Sequence, residues 1–268
     1  MEENKFLEIK KKVGEINELY KNDKGQDSFN LLLVGESGTG KSYILRTARK
    51  PVHIDSFDPG GTKCLRDEIK RGEIIADTRW ENDDPFNPTV WKKWVTETQQ
   101  RMGMDYYSAL GTYVIDSGTK WADSVMNNIL KTAGIPGESP RFTKDYAPQK
   151  TQILNWIKYL LRIPCDFIMT GHLEPTKDDV IGSVTYRLMT TGKAVQLIPI
   201  EFDEIWVTST KSRAAGLQYN IITAHTGPYL ASTRIGRGGI FDTYEVPNIK
   251  ELLKKAKLSI EDKPLLTI

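Results

Sequence analysis

Disulfide scaffolds and metal clusters are poorly supplied in this sequence, whose 268 residues hold only two cysteines, Cys64 and Cys165, and three histidines. Neither cysteine has the close-spaced partner that a zinc site needs. Charge of one sign is also scarce: 37 Lys and Arg stand against 35 Asp and Glu, a net charge of +2, so no global attraction for nucleic acid follows and any such site must be a local patch. No apolar run approaches the roughly 20 residues that span a bilayer, and the opening Met-Glu-Glu-Asn-Lys has neither the apolar stretch nor the cleavage site of a secretory signal. The expectation is a soluble protein of a reducing cytoplasm with no membrane partner. Internal repeats and low-complexity segments are absent. What is present, 39% hydrophobic and 27% charged residues, suits a folded chain with one large domain.

Residues 5–21 place Phe6, Ile9, Val13, Ile16 and Tyr20 at steps of three and four among lysines and glutamates, the period of an amphipathic helix. This helix, within residues 1–24, is expected to pack on its own domain or to dock on a neighbouring subunit. Residues 25–268 are expected to form the core. From Phe29 the pattern changes to short apolar runs at 29–34, 52–55, 112–116, 166–170 and 204–208, separated by helix-length segments at 88–102, 119–132 and 147–162. That alternation predicts an α/β fold with a mostly parallel central sheet flanked by helices. Residues 217–223 and 229–234 flank Thr226-Gly227-Pro228 and read as an antiparallel hairpin at the sheet edge, followed by a closing helix over 248–257. Two segments, 134–146 and 173–193, have no regular pattern, and long irregular segments in compact domains carry function or move.

Directly after the first apolar run stands Gly35-Glu36-Ser37-Gly38-Thr39-Gly40-Lys41-Ser42-Tyr43. It matches the phosphate-binding loop at every required position. Glycines let the backbone wrap so that its amides face phosphate oxygens, Lys41 reaches the β and γ phosphates, and the Ser42 hydroxyl can hold Mg²⁺. Thr112-Tyr113-Val114-Ile115-Asp116 is an apolar strand ending in an acid, the position of a carboxylate that serves Mg²⁺. Hydrolysis also needs a group that orients or deprotonates water; Asp58, just beyond the strand at 52–55, is preferred over Asp55. His172, after Thr170-Gly171 at the end of another strand, is a candidate γ-phosphate sensor for the segment beyond it. Asp58-Pro59-Gly60-Gly61 and Thr176-Lys177-Asp178-Asp179 imitate GTPase signatures, but the first leaves little room after the phosphate-loop helix for a switch loop and another strand, and the second does not sit at a strand end.

The order of these parts, with Val114-Ile115-Asp116-Ser117, Trp121-Ala122-Asp123, Thr170-Gly171-His172 and Phe202-Asp203-Glu204, resembles phage-encoded, core-only RecA-like ATPases of the Sak type, AAA-family nucleotide-binding proteins, over residues 29–253. The resemblance implies ATP hydrolysis in phage recombination in the host bacterial cytoplasm. It also implies binding or annealing of single-stranded DNA, a ring or filament of copies, and a single-strand-binding protein as partner. It places DNA-facing loops at 134–146 and 173–193, with Arg141, Lys144, Lys177, Arg187 and Lys193 as phosphate contacts and Tyr146 or Tyr186 stacking on a base. The family's late aromatic-x-Ala-Lys-x-Arg pattern lacks its Lys in Tyr229-Leu230-Ala231-Ser232-Thr233-Arg234, which leaves Arg234 as the candidate finger for a neighbour's site. The family's Glu beyond the second strand is Asp58 here, a shorter carboxylate that implies slow turnover without a stimulating partner. Lys211, Arg213 and Arg237 are further basic residues whose grouping only tertiary structure fixes. The alternative is a nucleotide-gated assembly protein, a helicase loader or packaging partner, with little DNA-stimulated turnover.

Overall fold

The computed structural model describes residues 2–21, 28–177, 182–190, 192–214 and 216–266. Its strands are β1 (Asn30–Gly35), β2 (Val52–Ser56), β3 (Ile74–Asp77), β4 (Thr112–Asp116), β5 (Asp166–Lys177), β6 (Val184–Leu188), β7 (Glu204–Arg213), β8 (Gly216–Ile222) and β9 (Tyr244–Glu245). The helices are α1 (Glu2–Lys21), α2 (Lys41–Ile44), α3 (Arg66–Lys70), α4 (Val90–Gly103), α5 (Gly118–Thr132), α6 (Tyr146–Leu160), α7 (Ala194–Glu201) and α8 (Ile249–Lys255). The sheet order is β3-β2-β4-β5-β1-β7-β8-β9, with β6 paired to the outer half of β5. The strands from β3 to β7 in that order run parallel, and β8 and β9 add an antiparallel edge.

Near-continuous apolar runs become these strands because both faces of the sheet are covered. Alternate residues serve opposite cores. Leu32, Val34, Tyr113, Ile115, Phe167 and Met169 pack with α4, α5 and α6. Leu31, Leu33, Val114 and Ile168 pack with α2 and α8. The first core is an indole cluster in which Trp94 lies 5.3 Å from Trp91, 5.5 Å from Trp121 and 5.1 Å from Trp156 between ring centroids. Helix α4 reaches it because Val90, Trp91, Trp94, Thr98 and Arg101 fall on one buried face. Helix α5 is capped by the Ser117 hydroxyl, which accepts from the Lys120 amide at 3.4 Å, and α8 by Asn248, which accepts from the Glu251 amide at 3.2 Å.

Several expectations need correction. The edge hairpin is formed by β7 and β8, with Arg213 opposite Gly216, and residues 229–234 contribute only isolated bridges, Ile205 to Ser232 among them. The period-2 pattern of 209–213 is polar and gave no strand signal, although backbone pairing needs no apolar side chains once β7 is anchored beside β1. The segment 173–193 is not wholly irregular: β5 runs on to Lys177 and pairs antiparallel with β6, forming a ribbon, and α7 follows at once. β3 also escaped notice, being a short edge strand beside β2. Helix α1 does not bury its stripe: Phe6, Leu7, Ile9, Val13, Ile16 and Leu19 are each at least half exposed. Packing of that helix on its own domain is thus overturned. Among the described residues, no helix is long and apolar enough to cross a membrane.

Candidate functional site: a phosphate loop between two carboxylates

Strand β1 ends at Gly35, flanked by β5 at His172 and by β7 at Thr208, and the chain then turns through residues 36–40 into α2. Gly40 sits at φ +91, a left-handed conformation in which a side chain would be strained. Gly35 has no room for a Cβ, which would lie 2.8 Å from the Thr208 carbonyl oxygen. The loop is pinned to β7 by the Thr39 and Thr208 hydroxyls at 2.7 Å, while Thr39 also donates to the Glu36 carbonyl at 2.7 Å. Lys41 folds back to donate to the Gly35 and Glu36 carbonyls at 2.9 and 2.8 Å. Burial lowers the pKa of its ammonium, against the opposing pull of Asp116, Asp58 and Glu36.

Strands β4 and β1 are not neighbours, yet α2 brings their ends together: the Ser42 hydroxyl donates to Asp116 Oδ2 at 2.7 Å. Thr170 on β5 donates to Asp116 Oδ1 at 2.5 Å. Asp116 is fully buried, and desolvation raises its pKa despite those two hydrogen bonds. A hydroxyl and a carboxylate side by side beside a phosphate loop form an oxygen donor set suited to Mg²⁺. The residues fit that ion.

Asp58 follows β2 and lies in the same cavity as Lys41, Asp116 and His172. Its backbone amide donates to the Asp116 carbonyl at 3.2 Å, and its Oδ2 is 3.2 Å from His172 Nε2. Burial pushes its carboxyl upward, but hydrogen bonds from His172 and Ser117 outweigh that and hold it below the ordinary aspartate value. Sequence reasoning missed Glu81, which clamps this segment by accepting from the Ser56 hydroxyl at 2.7 Å and from the Gly60 amide at 3.0 Å. Nothing in the spacing of Glu81 marks it, since it arrives from beyond β3.

Asp55, the alternative to Asp58, is elsewhere. It points into the indole core, where Trp80, Trp94, Tyr113, Arg101 and His53 all lie within hydrogen-bonding distance of its carboxylate. His53, Asp55 and Asp77 are close enough to suggest a metal, but Arg101 already pairs with both acids at 2.9 and 2.7 Å and occupies that charge site.

The basic candidates are dispersed. Lys177 and Arg187 are exposed on the β5–β6 ribbon, and Lys193 is exposed at the start of α7. Arg141 and Lys144 precede α6, and Arg141 is held by Asp145 in a two-point contact at 2.8 and 3.0 Å. These segments share the phosphate-loop end of the sheet: the ribbon continues β5 past His172, and Gln149 in the first turn of α6 donates to the Ala122 carbonyl in the first turn of α5. The most exposed aromatic there is Phe142, at 88%. Tyr146 lies beside it, with ring centroids 6.3 Å apart, whereas Tyr186 stacks on Tyr229 at 4.9 Å. Arg234 lies at the other end: its guanidinium pairs with Asp203 at 2.8 Å beside the start of β1, about 17 Å from the phosphate loop by strand rise. On β7, Lys211 and Arg213 also lie beyond Thr208 at the phosphate end and are exposed, with the Lys211 ammonium 3.8 Å from the Tyr244 ring centroid.

The AAA domain family model matches residues 28–235, more than three quarters of the chain. No curated protein is a sequence match. Among solved structures, the chain is similar to a KaiC-like protein from the hyperthermophilic archaeon Pyrococcus horikoshii OT3, at 12% identity over 78% of this chain and 83% of that one with a TM-score of 0.41. It is similar to the flagellar accessory protein FlaH from Methanocaldococcus jannaschii, at 12% identity over 81% and 83% with a TM-score of 0.43. With its phosphate loop, its paired hydroxyl and carboxylate, and its mostly parallel α/β sheet, the chain belongs to the AAA domain family, as a P-loop ATPase domain.

Proposed function

We propose that this protein is an ATPase of the Sak type that couples ATP and Mg²⁺ binding to the handling of single-stranded DNA in phage recombination. The observation that carries the reading is the contact between His172 and Asp58, because it joins the hydrolytic end of the cavity to the root of the β5–β6 ribbon. Loop amides and Lys41 hold the phosphates. Ser42 and Asp116 would hold Mg²⁺, which would supply charge neutralisation at the phosphates. Asp58 orients a water toward the γ phosphorus and takes its proton as the bond to the β–γ bridging oxygen breaks. A γ-phosphate that engages His172 changes the Asp58 contact and biases the ribbon, so DNA binds more tightly with ATP than with ADP.

On this reading Lys177, Arg187, Lys193 and Lys144 offer phosphate contacts, with Arg141 available only when it leaves Asp145. Copies assemble as a ring or filament. Lys211 and Arg213 are better placed than Arg234 to reach a neighbouring copy's nucleotide. The division into an N-terminal helix and a core belongs to the same proposal.

The exposed stripe of α1 favours a second reading, a nucleotide-gated assembly protein, such as a helicase loader or packaging partner, whose output is contact with another protein. ATP turnover by wild type and Lys41→Ala, with and without single-stranded DNA at low salt, separates the two. A Lys41-dependent rate that DNA raises several-fold supports the first. ATP binding with no response to DNA sinks it and leaves the second.

A further inference from the structure

The cavity at the phosphate loop has two chemically different ends. One is charged, with Lys41, Asp58, Asp116 and His172; the other is walled by Tyr43, Tyr219 and Pro247. Tyr219 arrives from β8, where pairing with Thr210 places it beyond the end of β1 and its ring over the loop. A Cβ on Gly40 would meet the ring's Cδ1 at 3.3 Å. Tyr219 as a residue is 43% exposed, and it lines the cavity. Tyr43 stands next to Ser42, backed by the Arg46 guanidinium 4.5 Å from its ring centroid, and its hydroxyl already accepts from Arg46. Pro247 has no backbone N–H to offer. None of the three walls carries a side-chain amide or carboxylate.

We propose that this apolar end is the nucleobase seat, with Tyr219 as its stacking platform, and that the site holds the base by its face without reading its edge. The inference rests on the reading of the charged end as the phosphate site. Stacking tolerates any base because every base presents a π face, whereas strong discrimination requires buried hydrogen-bonding groups that the wrong base leaves unpaired. Among the described residues that line the cavity, the buried groups of that kind, Lys41 and Asp116 among them, lie at the phosphate end, while the Tyr43 and Tyr219 hydroxyls belong to half-exposed side chains. Adenine and guanine nucleotides are therefore both accepted, and selectivity resides in the triphosphate.

The test is calorimetric titration of the full chain with Mg-ATP, Mg-GTP and tripolyphosphate, in wild type, Tyr219→Ala and Tyr219→Phe. ATP and GTP should bind wild type within about fivefold of each other. Tyr219→Ala should weaken both nucleotides by roughly tenfold or more, Tyr219→Phe should retain them, and tripolyphosphate should bind all three proteins alike. A preference for one purine above about fiftyfold would show that an edge is read and overturn the proposal. Unchanged nucleotide affinity in Tyr219→Ala, or an equal loss for tripolyphosphate, would overturn it too, the latter by making the ring a support for the loop. Failure of wild type to bind any of the three ligands would remove the phosphate-site reading itself, and this proposal with it.

Discussion

His172 Nε2 and Asp58 Oδ2 meet at 3.2 Å, although one lies on β5 and the other just beyond β2, with β4 between them. The carboxylate proposed to orient water is thus held by the residue from which the β5–β6 ribbon extends. Cutting a purely structural contact lowers stability alone, whereas cutting a coupling contact changes how DNA affinity responds to the nucleotide.

Asp58→Asn keeps the shape of the side chain but cannot take a proton. Steady-state ATP turnover should fall by about 10²- to 10⁴-fold with nucleotide affinity nearly unchanged. His172→Ala should reduce turnover less and remove the difference in DNA affinity between ATP and ADP states. Full retention of that difference would count against the coupling.

Asp116 is buried with a raised pKa, and a cation needs it ionised. As pH falls, Mg²⁺-dependent nucleotide affinity should begin to fail above the ordinary aspartate range, because protons compete earlier than usual. The stability sign is opposite: a raised folded pKa contributes stability that is present at low pH and lost as pH rises through it. Asp116→Asn should therefore melt higher than wild type at neutral pH without ligand and yet show no Mg²⁺ dependence in its nucleotide binding. Calorimetry and thermal melts check both halves.

Gly35→Ala places a methyl 2.8 Å from the Thr208 carbonyl oxygen, an atom fixed in the sheet. The phosphate loop must shift away from β7. Expected results are destabilisation by about 1 to 3 kcal/mol and loss of nucleotide binding, read by denaturant melts and by titration. Wild-type affinity in this variant would contradict the close packing of Gly35 against β7.

Asp55→Asn removes the most deeply buried of the three carboxylates that pair with the buried Arg101, leaving Asp77 and Glu97. The chain should lose about 3 to 5 kcal/mol, read as a drop in melting temperature of roughly 10 °C. Burial pushes the Asp55 carboxyl up, but the His53 and Tyr113 hydrogen bonds and the Arg101 charge hold it well below the ordinary value. A lowered folded pKa contributes stability that is complete above the ordinary aspartate value and lost as pH falls through the folded one. The gap between wild type and variant should narrow only in that acid range.

The sequence by itself determined the phosphate loop, because Gly35 to Ser42 is a local motif whose geometry is set by its own glycines and by the apolar strand before it. It also determined the buried strands read at 29–34, 112–116 and 204–208, where apolar runs require cover on both faces. Tertiary structure alone decided what meets across the sheet. Asp55 and Asp58 are three residues apart on one strand end, and their roles diverge because one side chain enters the indole core while the other enters the cavity. Glu81 reaches the site from a segment with no local signal, Thr170 and Tyr219 lie on strands legible in the sequence whose meeting at the cavity only the sheet order decided, and Arg234 goes to the opposite end of β1 because hydrogen bonds to Asp203 and Glu204 hold it there. Pairwise periodicity reports which face of an element is buried. It carries no record of which strand ends share a crevice, since that depends on strand order, and strand order is fixed by long-range pairing.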